Sequence, residues 1–234
     1  FTTLSEKMAP EELTGALNYF LTHFTECVLA HDGVVDKFIG DAVVAFWNAP
    51  FDQPDFATSA CLAAIAIQER VKTLDTVRYP AIHVRIGINT GEMVVGNMGS
   101  SSRFNYTVMG DSVNFGSRLE GSNKFFKTKI LISDSTYERA KNAVMARELG
   151  RILVVGKEKP VGIYELLGRK GEVTDTGLDA WAVSMQDVKK GQLLKAAKGF
   201  EAWLKDHPGD TAAQHYLKTI SDGGNDFVIK LTEK

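Results

Sequence analysis

Hydrophobic positions at the start of the chain follow first a helical and then a strand spacing. Between residues 10 and 29 apolar side chains recur every three or four positions, which predicts an amphipathic helix. Pro10-Glu11-Glu12 is typical of a first helical turn, because proline and carboxylates are favoured there. Residues 34–39 and 42–47 are rich in β-branched and aromatic residues and predict a β-hairpin around Gly40-Asp41.

The pattern continues with alternating helices and strands as far as residue 168. We predict helices at 56–76, 111–124 and 135–142, and strands at 82–88, 93–95, 129–133, 148–155 and 161–167. The strands at 82–88 and 93–95 are expected to pair as a second hairpin. This order predicts an α+β fold, with a largely antiparallel sheet and helices packed on it.

The last part of the chain has a different composition. Residues 169–177 form a polar linker without periodicity, and residues 178–234 are rich in helix formers. Gly191, Ala196, Phe200 and Pro208 match the second-half spacing of one tetratricopeptide unit. Fewer than three repeats rarely stand alone, so we expect a small α-helical hairpin that docks on the main domain or on a partner protein.

Composition excludes some classes of protein. A chain of 234 residues, 44% of them hydrophobic, can bury the core of one ordinary domain plus a small appendage. The net charge of −2 argues against a nucleic-acid-binding protein, which needs a basic surface. Cys27 and Cys61 fall in predicted helices and favour buried thiols over a disulfide.

The same composition bears on location. No apolar run approaches the ~20 residues that span a bilayer, and no signal peptide is recognisable, so a cytoplasmic location is expected. Because the chain begins at Phe1, we expect it to be a fragment, and any membrane attachment would come from an upstream segment.

Three polar residues are candidates for chemistry. Asp41 in its Gly-Asp turn has two interpretations: a turn residue that bonds the local backbone, or one of the carboxylates of a Mg²⁺ site. Asn114 and Arg118 are four residues apart on one face of a predicted helix. Such a pair is typical of a solvated helix surface, but it can also hold charge on a phosphate.

Two longer stretches resemble a known family. Residues 37–47, KFIGDAVVAFW, and residues 106–120, YTVMGDSVNFGSRLE, resemble in order and spacing the catalytic core of class III nucleotidyl cyclases. The resemblance covers roughly residues 1–168, so we expect a catalytic domain there, a linker at 169–177 and the helical tail at 178–234. It implies a ferredoxin-like βαββαβ core that forms a 3′,5′-cyclic nucleotide and pyrophosphate with two Mg²⁺ or Mn²⁺ ions.

The resemblance also implies catalytic roles. Asn114 would position the ribose, Arg118 would stabilise the pentavalent phosphorus, and Asp41 would bind metal. The family pattern Phe-x-Asp-Ile-x-Gly-Phe-Thr is present here only as Phe1-Thr2. A second metal-binding Asp and the first strand are therefore expected upstream of residue 1.

Substrate contacts are implied in the same way. Lys37 would donate to adenine N1 and Thr107 would accept from the N6 amine, which favours ATP over GTP. Guanylyl enzymes instead carry Glu and Cys, or similar residues, at those positions. The backbone around Thr2 and Thr3 would cradle the triphosphate. Lys157, with Lys159 as the alternative, would reach the phosphates.

The family further implies a homodimer with two equivalent sites. One protomer would supply Asp41 and the phosphate loop, and the other the base-reading pair with Asn114 and Arg118. Three alternatives stay open from the sequence. The chain could be a guanylate cyclase, or a non-catalytic cyclase-like regulator that binds nucleotide or dimerises. The tail could also act as an adaptor for a partner protein.

Overall fold

The computed structural model describes residues 8–154, 159–173 and 177–231. Within them lie seven helices and nine strands. In chain order these are α1 (Pro10–Leu29), β1 (Val34–Ile39), β2 (Ala42–Phe46), α2 (Phe56–Val71), β3 (Ile86–Ile88), β4 (Val94–Gly99), β5 (Phe104–Met109), α3 (Asp111–Phe126), β6 (Ile130–Ser133), α4 (Asp134–Ala140), β7 (Val144–Val154), β8 (Val161–Arg169), α5 (Leu178–Lys189), α6 (Leu193–Asp206), α7 (Thr211–Ser221) and β9 (Val228–Leu231). The α+β class is confirmed.

Contacts divide the chain into two compact units, and the first contains residues 8–84 and 91–113. Here α1 packs against α2, and both helices bury the faces that their apolar spacing predicts. Four of the buried residues of α2 are alanines, Ala57, Ala60, Ala63 and Ala64, whose small side chains permit close packing. The unit also holds two antiparallel hairpins, β1–β2 and β4–β5, which touch each other through β1 and β5.

The second predicted hairpin is wrong. β3 is short and pairs in parallel with β6, while β4 pairs with β5 around the turn at residues 100–103. In that turn the Ser100 backbone N–H donates to the Arg103 carbonyl at 2.8 Å. Two neighbouring apolar runs favour a local hairpin in the sequence, whereas β3 finds its partner some forty residues later. Local periodicity carries no information about such distant pairing.

The second unit contains residues 85–90 and the described residues from 114 onwards. Its five-stranded sheet has the order β3-β6-β8-β7-β9, with parallel pairs at both ends and antiparallel pairs between them. A single cluster of buried apolar residues joins α3, the sheet and the tail helices. Its largest fully buried members include Phe115, Leu119, Leu131, Leu149, Ile152, Ile163, Trp181, Phe200 and Tyr216.

The tail docks on this sheet, as expected. The Trp181 indole N–H donates to the Glu148 carbonyl at 2.7 Å, and the Tyr216 hydroxyl donates to the Leu149 carbonyl at 3.2 Å. The tail is larger than the predicted helical hairpin. It has three helices, and β9 then adds a strand parallel to β7. The boundary at residues 169–177 stays a prediction.

A buried ion network joins the tail to strands β7 and β8. Arg147 on β7 donates from Nε to Glu165 Oε2 on β8 at 2.7 Å and pairs through Nη1 with Asp210 Oδ2, the capping residue of α7. Its guanidinium also lies over the rings of Trp181 and Trp203, 4.8 and 5.1 Å from their centroids. Burial raises the pKa of Glu165, and the nearby Arg147 opposes that shift. The attraction between Arg147 and the two carboxylates therefore offsets the free-energy cost of removing these charges from water.

Both cysteines are free and buried, as predicted. Burial raises the pKa of Cys61 to about 12, so this thiol is protonated at neutral pH. Within the residues that the structure describes, no helix is long and apolar enough to cross a membrane.

Replacing Arg147 with methionine tests the ion network. Arg147→Met leaves the carboxylates of Glu165 and Asp210 without their cation, and we expect a loss of about 3–5 kcal/mol in the free energy of unfolding. The measurement is urea denaturation. The control is Arg85→Met, because Arg85 pairs with Glu120 on the surface of the same unit and such pairs contribute less than about 1 kcal/mol. Equal losses in the two variants would contradict the assigned role.

Candidate active site

Lys37 and Thr107 meet where β1 touches β5 in the first unit. Lys37 Nζ donates to Thr107 Oγ1 at 2.8 Å, although the two residues are 70 positions apart in the sequence. Thr107 is buried, and the Lys37 side chain is about half exposed, at 45%. The structure thus brings together the two residues expected to read the base. The ammonium group has three N–H donors in all, so Lys37 keeps donor capacity for a ligand.

Asp36 completes this cluster and was not predicted from the sequence. Its carboxylate Oδ2 accepts from Thr107 Oγ1 at 3.0 Å and lies 3.3 Å from Lys37 Nζ. Consecutive residues of a regular strand point to opposite faces, so adjacent positions are not expected to share a site. The register of β1 on β2 shifts between Val35 and Lys37, and this bulge brings the side chains of Asp36 and Lys37 together. A bulge leaves no clear mark in a single sequence.

Asp41 stands at the tip of the β1–β2 hairpin. Gly40 before it has φ of +61°, a conformation that glycine adopts without strain and that suits a two-residue hairpin turn. The pairing of Ile39 with Ala42 closes the turn and leaves Asp41 exposed. An exposed carboxylate on a rigid turn fits one oxygen ligand of a hard divalent cation.

Asp41 has too few neighbouring ligand side chains to form a complete metal centre within the described part of the chain. In residues 8–154, 159–173 and 177–231 no group of three or more His, Cys, Asp or Glu side chains could hold a metal ion. Asp41 would therefore need oxygen ligands from the substrate or from other carboxylates.

Asn114 and Arg118 belong to the second unit and share one face of α3. Asn114 lies in the first turn of the helix and is exposed. Arg118 follows one turn later, and its Nη1 is buried with no hydrogen-bond partner among the described residues. Leaving a buried donor unpaired costs about 1–3 kcal/mol, so this guanidinium is suited to an anionic ligand.

A close contact with β3 fixes the position of α3. A Cβ added at Gly87 would lie 2.2 Å from the Glu120 backbone nitrogen and 2.4 Å from the Gly116 carbonyl oxygen. The helix therefore packs directly on the strand backbone at this point. Asn123 strengthens the contact, because its Nδ2 donates to the Ile86 carbonyl at 3.0 Å. Within this unit the contact orients Asn114 and Arg118.

The expected phosphate contacts stay predictions. Thr2, Thr3 and Lys157 lie outside the described residues. Lys159, the alternative to Lys157, is exposed just before β8. Lys37, Thr107 and Asp41 belong to the first unit, and Asn114 and Arg118 to the second.

Replacing Gly87 with alanine tests the contact that orients α3. The added methyl group collides with backbone atoms that cannot rotate away, so we expect Gly87→Ala to lower the free energy of unfolding by about 1–3 kcal/mol. Gly121→Ala on α3 is the matched control, because open space surrounds that position and alanine is the better helix former by up to about 1 kcal/mol. Thermal and urea unfolding of both variants provide the measurement. A neutral Gly87→Ala would show that the strand and helix are not in tight contact.

Comparison with known proteins identifies several similar sequences. Residues 1–168 match the family model described as adenylate and guanylate cyclase catalytic domain. Adenylate cyclase 1 of Rhizobium meliloti is 40% identical over 186 residues, which cover 77% of this chain and 28% of the relative. The terminal-differentiation-specific adenylate cyclase of Dictyostelium discoideum is 31% identical over 230 residues, 93% of this chain and 11% of the relative. The chain thus spans less than a third of these two relatives.

The solved structures that resemble this chain include both adenylyl and guanylyl cyclases. The adenylyl cyclase CyaB from P. aeruginosa superposes with a TM-score of 0.66 at 34% identity, covering 74% of this chain and 91% of that one. The guanylyl cyclase Cya2 also has a TM-score of 0.66, at 32% identity, covering 74% and 89%. Structural similarity alone does not separate the two nucleotide specificities.

Proposed function

Because the chain belongs to the family of adenylate and guanylate cyclase catalytic domains, we propose that it converts ATP into 3′,5′-cyclic AMP and pyrophosphate. The observation that carries the choice of ATP is the contact between Lys37 and Thr107. The chain spans only part of its relatives, so the activity of the whole protein belongs to this proposal as well.

The Lys37–Thr107 pair suits adenine better than guanine. Adenine presents an acceptor at N1 beside a donor amine at N6, whereas guanine presents an acceptor at O6 beside a donor at N1. Lys37 is a donor without acceptor capacity, and the hydroxyl of Thr107 can accept. Placed side by side, the two residues complement the adenine edge in both positions.

The reaction requires groups that hold the ribose and the reacting phosphate. The ribose 3′-oxygen attacks the α-phosphorus in line, and pyrophosphate leaves. The exposed Asn114 amide would orient the ribose, and the unpaired Nη1 of Arg118 would stabilise charge that develops on the phosphate oxygens. Asp41 would act as one oxygen ligand for the two Mg²⁺ or Mn²⁺ ions that the family implies, which supply positive charge at the phosphates.

A homodimer is supported by the surface of the first unit. Its two hairpins expose large apolar side chains, and an exposed apolar patch is typical of an interaction surface. These are Phe38, Ile39, Val94, Phe104, Tyr106 and Met109. We propose that a second copy covers them with two-fold symmetry, because each chain carries both halves of the expected site. Asp41, with the backbone of Thr2 and Thr3, would come from one protomer. Lys37, Thr107, Asn114 and Arg118 would come from the other.

Mixing two inactive variants tests both the site and its assembly. Asp41→Asn removes an exposed charge and Asn114→Ala removes an exposed amide, so folding should be unaffected. Cyclic AMP production by either variant alone should fall by on the order of 10²-fold. Random exchange of protomers makes half of the dimers mixed, each with one intact site, so activity should return to about a quarter of the wild-type value.

The control for this experiment is Lys124→Ala, an exposed change on α3 that should leave activity unchanged. Inactive variants that fail to complement would contradict the shared site. Wild-type activity in Asn114→Ala would contradict the assignment of that residue.

Replacing Lys37 with methionine tests the choice of base. Loss of a charged hydrogen bond to adenine N1 should lower kcat/KM for ATP by about ten- to hundredfold, with a smaller effect on GTP. The measurement is turnover of both nucleotides, with Lys72→Met as an exposed control in the same unit. The stability of Lys37→Met must also be measured by an unfolding curve, because the substitution removes the cation that pairs with Asp36. A wild-type preference for GTP would favour the guanylate cyclase alternative, and turnover of neither would favour the non-catalytic regulator.

A further inference from the structure

We propose that Asp36 is a positioning residue that selects for adenine by holding the hydroxyl of Thr107 as a hydrogen-bond acceptor. The inference rests on the proposed function, in which Thr107 meets the base. Asp36 would not touch the nucleotide itself. It would act through the orientation of one proton.

The buried carboxylate of Asp36 fixes the direction in which the Thr107 hydroxyl proton points. The Asp36 side chain is 1% exposed, and Oδ2 is 3.0 Å from Thr107 Oγ1. An ionised carboxylate has no proton to donate, so the hydrogen bond between the two side chains uses the only proton of the Thr107 hydroxyl. Turning that proton elsewhere would leave a buried carboxylate with one donor fewer, which is costly.

Lys37 restricts the hydroxyl further. The ammonium group can only donate, and it donates to Thr107 Oγ1 at 2.8 Å. A hydroxyl oxygen has two lone pairs, and Lys37 occupies one of them. Thr107 is left with a single lone pair and no free proton. It can accept from the N6 amine of adenine, but it cannot donate to the O6 oxygen of guanine.

A threonine without this neighbour would not discriminate in the same way. A free hydroxyl rotates and can be donor or acceptor, so it suits either base. The bulge in β1 places the Asp36 carboxylate beside Thr107 and so removes that freedom.

The test compares the affinities for 3′-deoxy-ATP and 3′-deoxy-GTP, which lack the attacking hydroxyl and therefore report binding without turnover. In Asp36→Ala the affinity ratio in favour of adenine should fall by about tenfold, as expected for one hydrogen bond of this class. Asp52→Ala, an exposed change in the same unit, should leave the ratio as in the wild type. If Asp36→Ala does not fold, Asp36→Val replaces it, since a β-branched residue suits a strand.

A double-mutant cycle shows whether Asp36 acts through Thr107. Thr107→Val should lower the ratio by itself, and adding Asp36→Ala to Thr107→Val should lower it no further. An unchanged ratio in a folded Asp36→Ala protein overturns the inference, and so does an equal further fall in the Thr107→Val background. Either result leaves the proposed function unaffected, provided that the wild-type protein produces cyclic AMP. A wild-type protein that binds neither analogue, or prefers the guanine one, overturns both.

Discussion

A buried carboxylate requires donors, and this requirement shapes the first unit around Asp36. Its side chain is almost fully removed from water, and an isolated charge there would cost several kcal/mol. Lys37 and Thr107 supply the two compensating donors. Because Thr107 comes from the other hairpin, charge compensation also holds β1 against β5. The groups expected to contact the base are thus already hydrogen-bonded to one another, so little further ordering would be needed on binding.

In the second unit, order depends on contacts between segments far apart in the sequence. Gly87 permits β3 to lie against α3, and Arg147 joins two strands to the start of α7. The tail is therefore part of the same hydrophobic core as the sheet, since Trp181 and Phe200 are buried with residues of the strands. The strands on which α3 packs therefore share one core with the tail helices.

The sequence predicted those features that a local pattern encodes. Helix α1 and the β1–β2 hairpin have clear periodicities and were predicted nearly to the residue. The pairing of β4 with β5 was missed because no strand was predicted at residues 104–109, and the pairing of β3 with β6 was missed because the two strands are far apart in the sequence. Lys37 and Thr107 were found through family resemblance, which encodes distant contacts that spacing cannot. Asp36 was not predicted because the bulge interrupts the alternation of side chains between the two faces of a strand. The burial of Arg118 Nη1 likewise depends on the folded chain, and no motif records it.

Strand β9 has a consequence for engineering this protein. It pairs with residues Arg151–Val154 of β7 and so covers what would otherwise be an edge strand of the sheet. An uncovered rim presents a row of unpaired backbone donors and acceptors, a common starting point for intermolecular strand addition and aggregation. A shortened version that ends after α7 would keep every helix described here. It would nevertheless expose the edge of β7 and remove Ile229, which is buried in the core of this unit, so both solubility and stability should decrease.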